Sequence, residues 1–269
     1  MKKLGLIAGK GELPKAVASE AKAQGYTVIA IALDPLVDKS LSSYVDEMKR
    51  VNIGKFGTII NSMKKYGIKE AVMAGKVSKT LLYKSKIVPD LRAIKLLFSL
   101  KDRSDDSILI TITKELEKEG IKLLDITMFT SSLLTPDGVL TKRRPTEDEW
   151  KDIEFGWRIA KEMGRLDIGQ TVIVKKQAVM AVEAIEGTDE AIKRGGMLAG
   201  NGAVVVKVSK PNQDMRFDVP VVGLNTLKAM VEVDARVLSV EAKNSIFLNR
   251  EKIIEKSNEA GISIVGYTG

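Results

Sequence analysis

Two residue types are missing altogether from this 269-residue chain, cysteine and histidine. The first absence excludes disulfides, a thiolate nucleophile and thiolate zinc sites; the second excludes imidazole as acid, base or ligand. Carboxylate, lysine, tyrosine and hydroxyl groups are left for chemistry, and any catalytic metal must be a hard, oxygen-liking ion such as Mg²⁺ or Mn²⁺. Aromatic residues are scarce at 5%, and the lysines are scattered among acids, which together argue against a nucleic-acid partner. No apolar run approaches the length of a membrane span. The N-terminal MKKLGLIAGKGELP lacks the core and cleavage site of a signal peptide, so a cytoplasmic protein is expected.

What is present describes a globular α/β protein, 44% hydrophobic and 29% charged. The net charge of +8 favours an anionic partner, a phosphorylated metabolite or an acidic membrane surface. Residues 1 to about 75 alternate strands with helices: strands at Leu4–Ala8, Thr27–Leu33, Met48–Ile53 and Glu70–Ala74, helices at Lys15–Gln24 and Phe56–Tyr66. That order predicts a Rossmann-like, doubly wound parallel sheet. The first turn carries Gly9, Gly11 and Glu12, but Pro14 stands where a dinucleotide fingerprint needs its third glycine. Asp34 does end the second strand, where a ribose-binding acid would stand. Glycines there serve any tight strand-to-helix turn, and the same turn can hold a phosphate or sugar on backbone N–H groups.

From Lys76 the chain is basic and less regular, with Lys79, Lys84, Lys86 and Arg92 among Leu81, Leu82, Tyr83, Ile87 and Val88. Such a segment is either a solvated connection or a flap that touches an amphiphilic anion. Pro136-Asp137-Gly138 and Pro145-Thr146 mark 136–145 as a linker between a first domain, 1–135, and a second, mixed or parallel α/β domain, 146–269.

The richest stretch is Gln177 to Gly223. A strand-like run, Ala178–Ile185, delivers Glu183, Glu186, Thr188 and Asp189; a second, Ala203–Val208, leads to Lys210, Gln213, Asp214, Arg216 and Asp218. A helix, Thr188–Met197, separates them, so the two runs are expected side by side in a parallel sheet with both polar clusters at its rim. Carboxylates beside Lys and Arg at such a rim suit hydrolysis of a metal-bound phosphate ester or anhydride, with carboxylates such as Glu183, Glu186, Asp214 and Asp218 for metal or water and Lys210 and Arg216 for the leaving phosphate. Thr188 also reads as an ordinary helix N-cap, with Asp189 and Glu190 complementing the helix dipole. Extended backbone would point Asp214, Arg216 and Asp218 one way.

The blocks AGKGELP, MAGKV, SDDSIL, VEAIEGTDEAIKRGG and VSKPNQDMRFDVPVVGLNT resemble the UDP-2,3-diacylglucosamine pyrophosphatase family of lipid A biosynthesis, the type without a calcineurin-like core, over nearly the whole chain. The resemblance implies a two-domain, metal-dependent, membrane-peripheral hydrolase on the cytoplasmic face of the inner membrane. It would cleave UDP-2,3-diacylglucosamine to UMP and 2,3-diacylglucosamine 1-phosphate (lipid X). It carries the catalytic aspartate to Asp218 first and Asp214 second, and both join Glu186 as expected metal ligands. Substrate-binding residues are expected at Gly9, Gly11, Glu12, Lys76, Lys79, Thr188, Asp189 and Gln213. Ser104 stands where glycine is expected before Asp105 and Asp106. An NAD(P)-dependent oxidoreductase and a non-catalytic nucleotide-sugar or lipid carrier remain as rival readings, and a homodimer is compatible with the sequence.

Overall fold

The computed structural model describes residues 2–77, 88–100, 105–211, 214–216 and 219–269, without the side chains of Asp105 and Asp106. The chain divides into two compact units, Met1–Ser131 with Met215–Phe217, and Ser132–Asp214 with Asp218–Gly269.

Unit 1 runs β1 (Lys3–Ala8), α1 (Leu13–Ala23), β2 (Thr27–Asp34), β3 (Glu47–Asn52), α2 (Phe56–Lys65), β4 (Glu70–Ala74), α3 (Leu91–Ser99), α4 (Asp105–Lys118), β5 (Lys122–Leu123) and α5 (Thr127–Thr130). The sheet order is β3-β2-β1-β4-β5, every pair parallel, as the alternation of strands and helices requires. β1 and β2 are almost continuously buried, which is why they read as unbroken apolar runs rather than alternating ones. Ile29, Ile31 and Leu33 pack with Ile59, Ile60 and Met63 of α2 and Leu116 of α4. β2 and β4 flank β1 on opposite sides, so the loops that leave β1 and β4 stand at the topological switch point of the sheet.

Those two loops touch backbone to backbone. The Gly9 N–H donates to the Ala74 carbonyl (2.8 Å), and Lys10 and Lys76 exchange N–H···O bonds of 2.9 and 2.8 Å. A Cβ on Gly9 would lie 2.9 Å from the Lys76 carbonyl oxygen, and one on Gly75, at φ +95°, 2.8 Å from the Gly9 carbonyl carbon. Both glycines are therefore demanded by this crossing.

Unit 2 runs β6 (Gly138–Val139), α6 (Glu147–Arg165), β7 (Thr171–Lys175), β8 (Ala178–Val182), α7 (Thr188–Ala199), β9 (Val204–Lys207), β10 (Val221–Val222), α8 (Leu224–Glu232), β11 (Val237–Glu241), β12 (Ile246–Phe247), α9 (Arg250–Glu259) and β13 (Ser263–Tyr267). Its main sheet has the order β6-β13-β11-β9-β7-β8 and is mixed: β9, β11 and β13 are parallel, β7 is antiparallel to both neighbours, and β6 is antiparallel to β13. The segment read as a linker, 136–145, lies in this unit, where Gly138 and Val139 pair with Gly266 and Val265. Thr146 then starts α6 with a capping box: its hydroxyl accepts from the Glu149 N–H and the Glu149 carboxylate accepts from the Thr146 N–H. Along β7 and β9 alternate side chains part to opposite faces. Val172, Val174, Val204 and Val206 pack with Ile153 and Ala160 of α6, whereas Ile173 and Val205 pack with Ile192 of α7 and Met230 of α8.

The two apolar runs expected side by side are separated by β7, which pairs antiparallel with each of them. The reason is a two-residue hairpin at Lys176-Gln177, with φ of 51° and 56°. Neither residue favours that conformation and no Asn-Gly or Asp-Gly announces the turn. Support comes instead from buried Asp152 of α6, whose carboxylate accepts the N–H of Lys176 (3.0 Å) and of Gln177 (2.6 Å). Asp152→Ala leaves two turn N–H groups without their acceptor and should cost roughly 2–4 kcal/mol in urea unfolding. Gln177→Gly should stabilise by about 1 kcal/mol, since glycine adopts positive φ without strain.

Candidate active site

At the last position of its alternation, the α7 face of the unit 2 sheet turns from apolar to polar. Thr171 of β7 stands opposite Lys207 of β9, and Glu183, one residue beyond β8, donates its N–H to the Thr171 carbonyl (2.8 Å). Glu183, Thr171 and Lys207 thus form a row across three strands, 8%, 0% and 4% exposed. A Cβ on Gly169 would sit 2.1 Å from the Glu183 carbonyl oxygen, so only glycine lets the chain pass there. Thr188, the first residue of α7, lies over the row. Its hydroxyl oxygen accepts from Lys207 Nζ (2.7 Å) and its proton goes to Glu183 Oε1 (2.8 Å). Among the described residues, Glu183 Oε2 and Thr171 Oγ1 are buried without a protein partner.

Thr188 is therefore not the N-cap that the sequence suggests. Gly187, at φ 87°, holds that position without any side-chain bond, which frees the Thr188 hydroxyl to bridge Lys207 and Glu183. Asp189, beside it, accepts from the Thr226 hydroxyl of α8 (3.2 Å).

A second buried acid anchors the chain as it leaves β9. Glu241 Oε2 accepts from Lys161 Nζ (2.5 Å) and from the Ser209 N–H (2.8 Å), and its Oε1 from Asn244 Nδ2 (2.9 Å). Burial pushes the Glu241 carboxyl up, but the Lys161 ammonium, Asn244 and the Ser209 N–H outweigh it and hold the group below the usual carboxylate range.

The other expected site residues separate into groups. Lys210 pairs with Asp167 (2.6 Å). Glu186 is taken by Arg194 and also accepts from the Ala184 N–H (3.2 Å); the guanidinium holds its carboxyl below the ordinary value. Asp214 and Arg216 are half-buried, and Met215-Arg216 form a turn, so Asp214 and Arg216 do not belong to one extended, one-sided series. Arg216 falls in unit 1 and Asp214 in unit 2. Asp218, Gln213 and Lys79 lie outside the described residues.

In unit 1, Gly9 serves the loop crossing, and a Cβ on Gly11, at φ +112°, would meet nothing within 4 Å among the described residues. Glu12 precedes α1 without capping it and pairs with Lys15 (2.9 Å); Lys76 is exposed. Asp34 accepts from Arg50 Nε (2.8 Å) and its terminal nitrogen, a structural role that removes the acid from the dinucleotide reading.

Among the described residues no three carboxylates converge as metal ligands, and Glu186 is committed to Arg194, so no step is assigned to a metal here. Lys207 and Thr171 escape sequence reasoning. Their one local signal is a lysine at a core position of the valine run VVVKVS, which the pattern alone does not separate from a strand end.

A Rossmann-type parallel sheet followed by a mixed sheet with an acid–hydroxyl–lysine row at its end defines a two-unit α/β protein whose polar groups gather beyond the strand ends. The chain belongs to the LpxI family: the LpxI N-terminal domain matches residues 3–133 and the LpxI C-terminal domain residues 136–265. The UDP-2,3-diacylglucosamine pyrophosphatase LpxI of Caulobacter vibrioides is 33% identical over 277 residues, covering 99% of this chain and 98% of that one. Two solved structures overlap the chain loosely. Phosphoribosylglycinamide synthetase of Anaerococcus prevotii overlaps 71% of this chain and 34% of its own at 13% identity and a TM-score of 0.28. N5-carboxyaminoimidazole ribonucleotide synthetase of Thermotoga maritima overlaps 66% and 40% at 20% identity and a TM-score of 0.25. Neither overlap carries an argument.

Because the folded-state value of Glu241 is depressed, its stabilising contribution is present above the ordinary carboxylate range and lost as pH falls through the lowered value. Glu241→Gln should cost roughly 2–3 kcal/mol at pH 7. The gap to wild type in denaturant unfolding should narrow as pH is lowered below about 4.

Proposed function

We propose that this chain hydrolyses the pyrophosphate of UDP-2,3-diacylglucosamine, giving UMP and 2,3-diacylglucosamine 1-phosphate in lipid A biosynthesis. The observation that carries the reading is the near full-length match to a relative bearing that activity in its name. The buried row supports it chemically. Hydrolysis of a phosphoanhydride uses an acceptor for the proton of water, and the row holds a carboxylate oxygen, Glu183 Oε2, without a protein partner among the described residues. Asp214 and Asp218 follow on the chain segment whose start Glu241 anchors, and Asp218 is the first choice for an essential carboxylate. A requirement for Mg²⁺ or Mn²⁺ belongs to the proposal, since without cysteine and histidine only oxygen ligands are on offer.

The lipid end of the substrate points to work at an anionic membrane surface on the cytoplasmic side. Among the described residues no helix is long and apolar enough to cross a membrane. α3, however, turns Leu91, Lys95 and Phe98 outward at i, i+4 and i+7, with Leu91 79% and Phe98 87% exposed. A short basic-apolar face of this kind suits the headgroup boundary.

Purified protein with the diacylated UDP-sugar and Mg²⁺ should release UMP, and exhaustive chelation should abolish the release. Asp218→Ala should lower the rate by about 100-fold or more with an unchanged thermal melt. No UMP from the wild type would overturn the activity; full turnover after chelation would overturn the metal requirement. Leu91→Glu with Phe98→Glu should reduce sedimentation with phosphatidylglycerol vesicles while leaving hydrolysis of detergent-dispersed substrate intact.

A further inference from the structure

We infer that Lys207 and Thr188 are positioning residues that hold Glu183 to take a proton from the attacking water. The inference rests on the pyrophosphatase reading and concerns groups of unit 2 alone.

The direction of the hydrogen bonds carries the argument. An ammonium has only protons to give, so the Thr188 oxygen accepts from Lys207 Nζ at 2.7 Å, and the single Thr188 hydroxyl proton is left to donate to Glu183 Oε1 at 2.8 Å. This chain of two bonds fixes Oε1 and turns the carboxylate so that Oε2 is its open acceptor. Oε2 and the Thr171 hydroxyl belong to neighbouring residues of the row, and among the described residues both are buried without a protein partner. In this arrangement the attacking water is held at these two groups, giving a proton to Oε2 and accepting one from Thr171. When that water attacks, its oxygen forms a bond to phosphorus and its proton passes to Oε2. The bridging P–O bond of the anhydride breaks, and its electron pair leaves on the displaced phosphate.

Stability alone does not call for this arrangement. On this face the same three strands otherwise carry Ile173, Val205 and Ala181, and a buried lysine and glutamate joined through a hydroxyl hold the unit together no better than apolar residues of similar size. What the arrangement does secure is the orientation of one carboxylate.

The test uses the full-length chain with the diacylated UDP-sugar, and wild-type release of UMP is its control. Glu183→Gln should lower kcat at least about 100-fold. Thr188→Val and Lys207→Met should each lower kcat by about 10- to 100-fold with KM nearly unchanged, since they touch the base and not the substrate. Thr188→Ser keeps the hydroxyl and should recover most of the rate. The double variant should be little worse than either single one, because both break the same chain of bonds. Wild-type kcat in Thr188→Val overturns the inference, as does a serine variant no better than valine, which would make Thr188 a packing residue. A raised KM with unchanged kcat in Lys207→Met also overturns it, since Lys207 would then hold the substrate itself. Should Lys207→Met fail to fold, the valine and serine variants decide alone. A wild type that releases no UMP overturns the activity and the inference together, whereas an active wild type with an indifferent Thr188 overturns only the inference.

Discussion

A lysine ammonium buried to 4% exposure at the end of a valine strand must find its hydrogen bonds inside the protein, and much of unit 2 is arranged around that demand at Lys207. Thr188 meets part of it, which requires α7 to begin over the sheet end with its hydroxyl turned inward. That in turn leaves Gly187 in the cap position at a φ only glycine adopts readily. Glu183 completes the chain of bonds, and its backbone passes so close to residue 169 that glycine alone fits there. A polar row of this sort lies at the sheet end because the remainder of both faces is closed by α6 on one side and by α7 and α8 on the other.

Unit 1 rests on a different constraint, the close passage of two backbone loops at the switch point of a parallel sheet. Gly9 and Gly75 each occupy space that the other loop would contest with any Cβ, and the bonds between Lys10 and Lys76 lock the loops in register. Gly9 thus has a structural explanation without any nucleotide, and so has Asp34 in its bonds to Arg50. Gly11, at φ +112°, is set by its backbone conformation instead, and a Cβ there would meet nothing within 4 Å among the described residues.

The first four strands and first two helices of unit 1 were legible because they are local patterns: unbroken apolar runs for β1 and β2, buried on both faces, and periodic ones such as Phe56, Ile59, Ile60 and Met63 for α2. α3, which follows the basic segment after Lys76, was not. The hairpin between β7 and β8 was not, since Lys176 and Gln177 carry no turn signal and their support comes from Asp152, some 24 residues back on another element. Missing that hairpin meant missing β7 as the middle strand, and with it the partnership of Thr171 and Lys207. Of the site, the sequence singled out Glu183 and Thr188 by residue type but left the threonine hydroxyl between a helix cap and a substrate contact. The choice between capping and bridging depends on what lies beside the helix, and no helix pattern contains that.

Composition and local periodicity belong to the sequence by itself. They determined that carboxylates, lysines and hydroxyls must do any chemistry, and that an all-parallel sheet precedes a second α/β unit. Strand order and register were decided only in the tertiary structure. They put Glu183, Thr171 and Lys207 in one row under Thr188, because residues far apart along the chain become neighbours only once β7 is placed between β8 and β9.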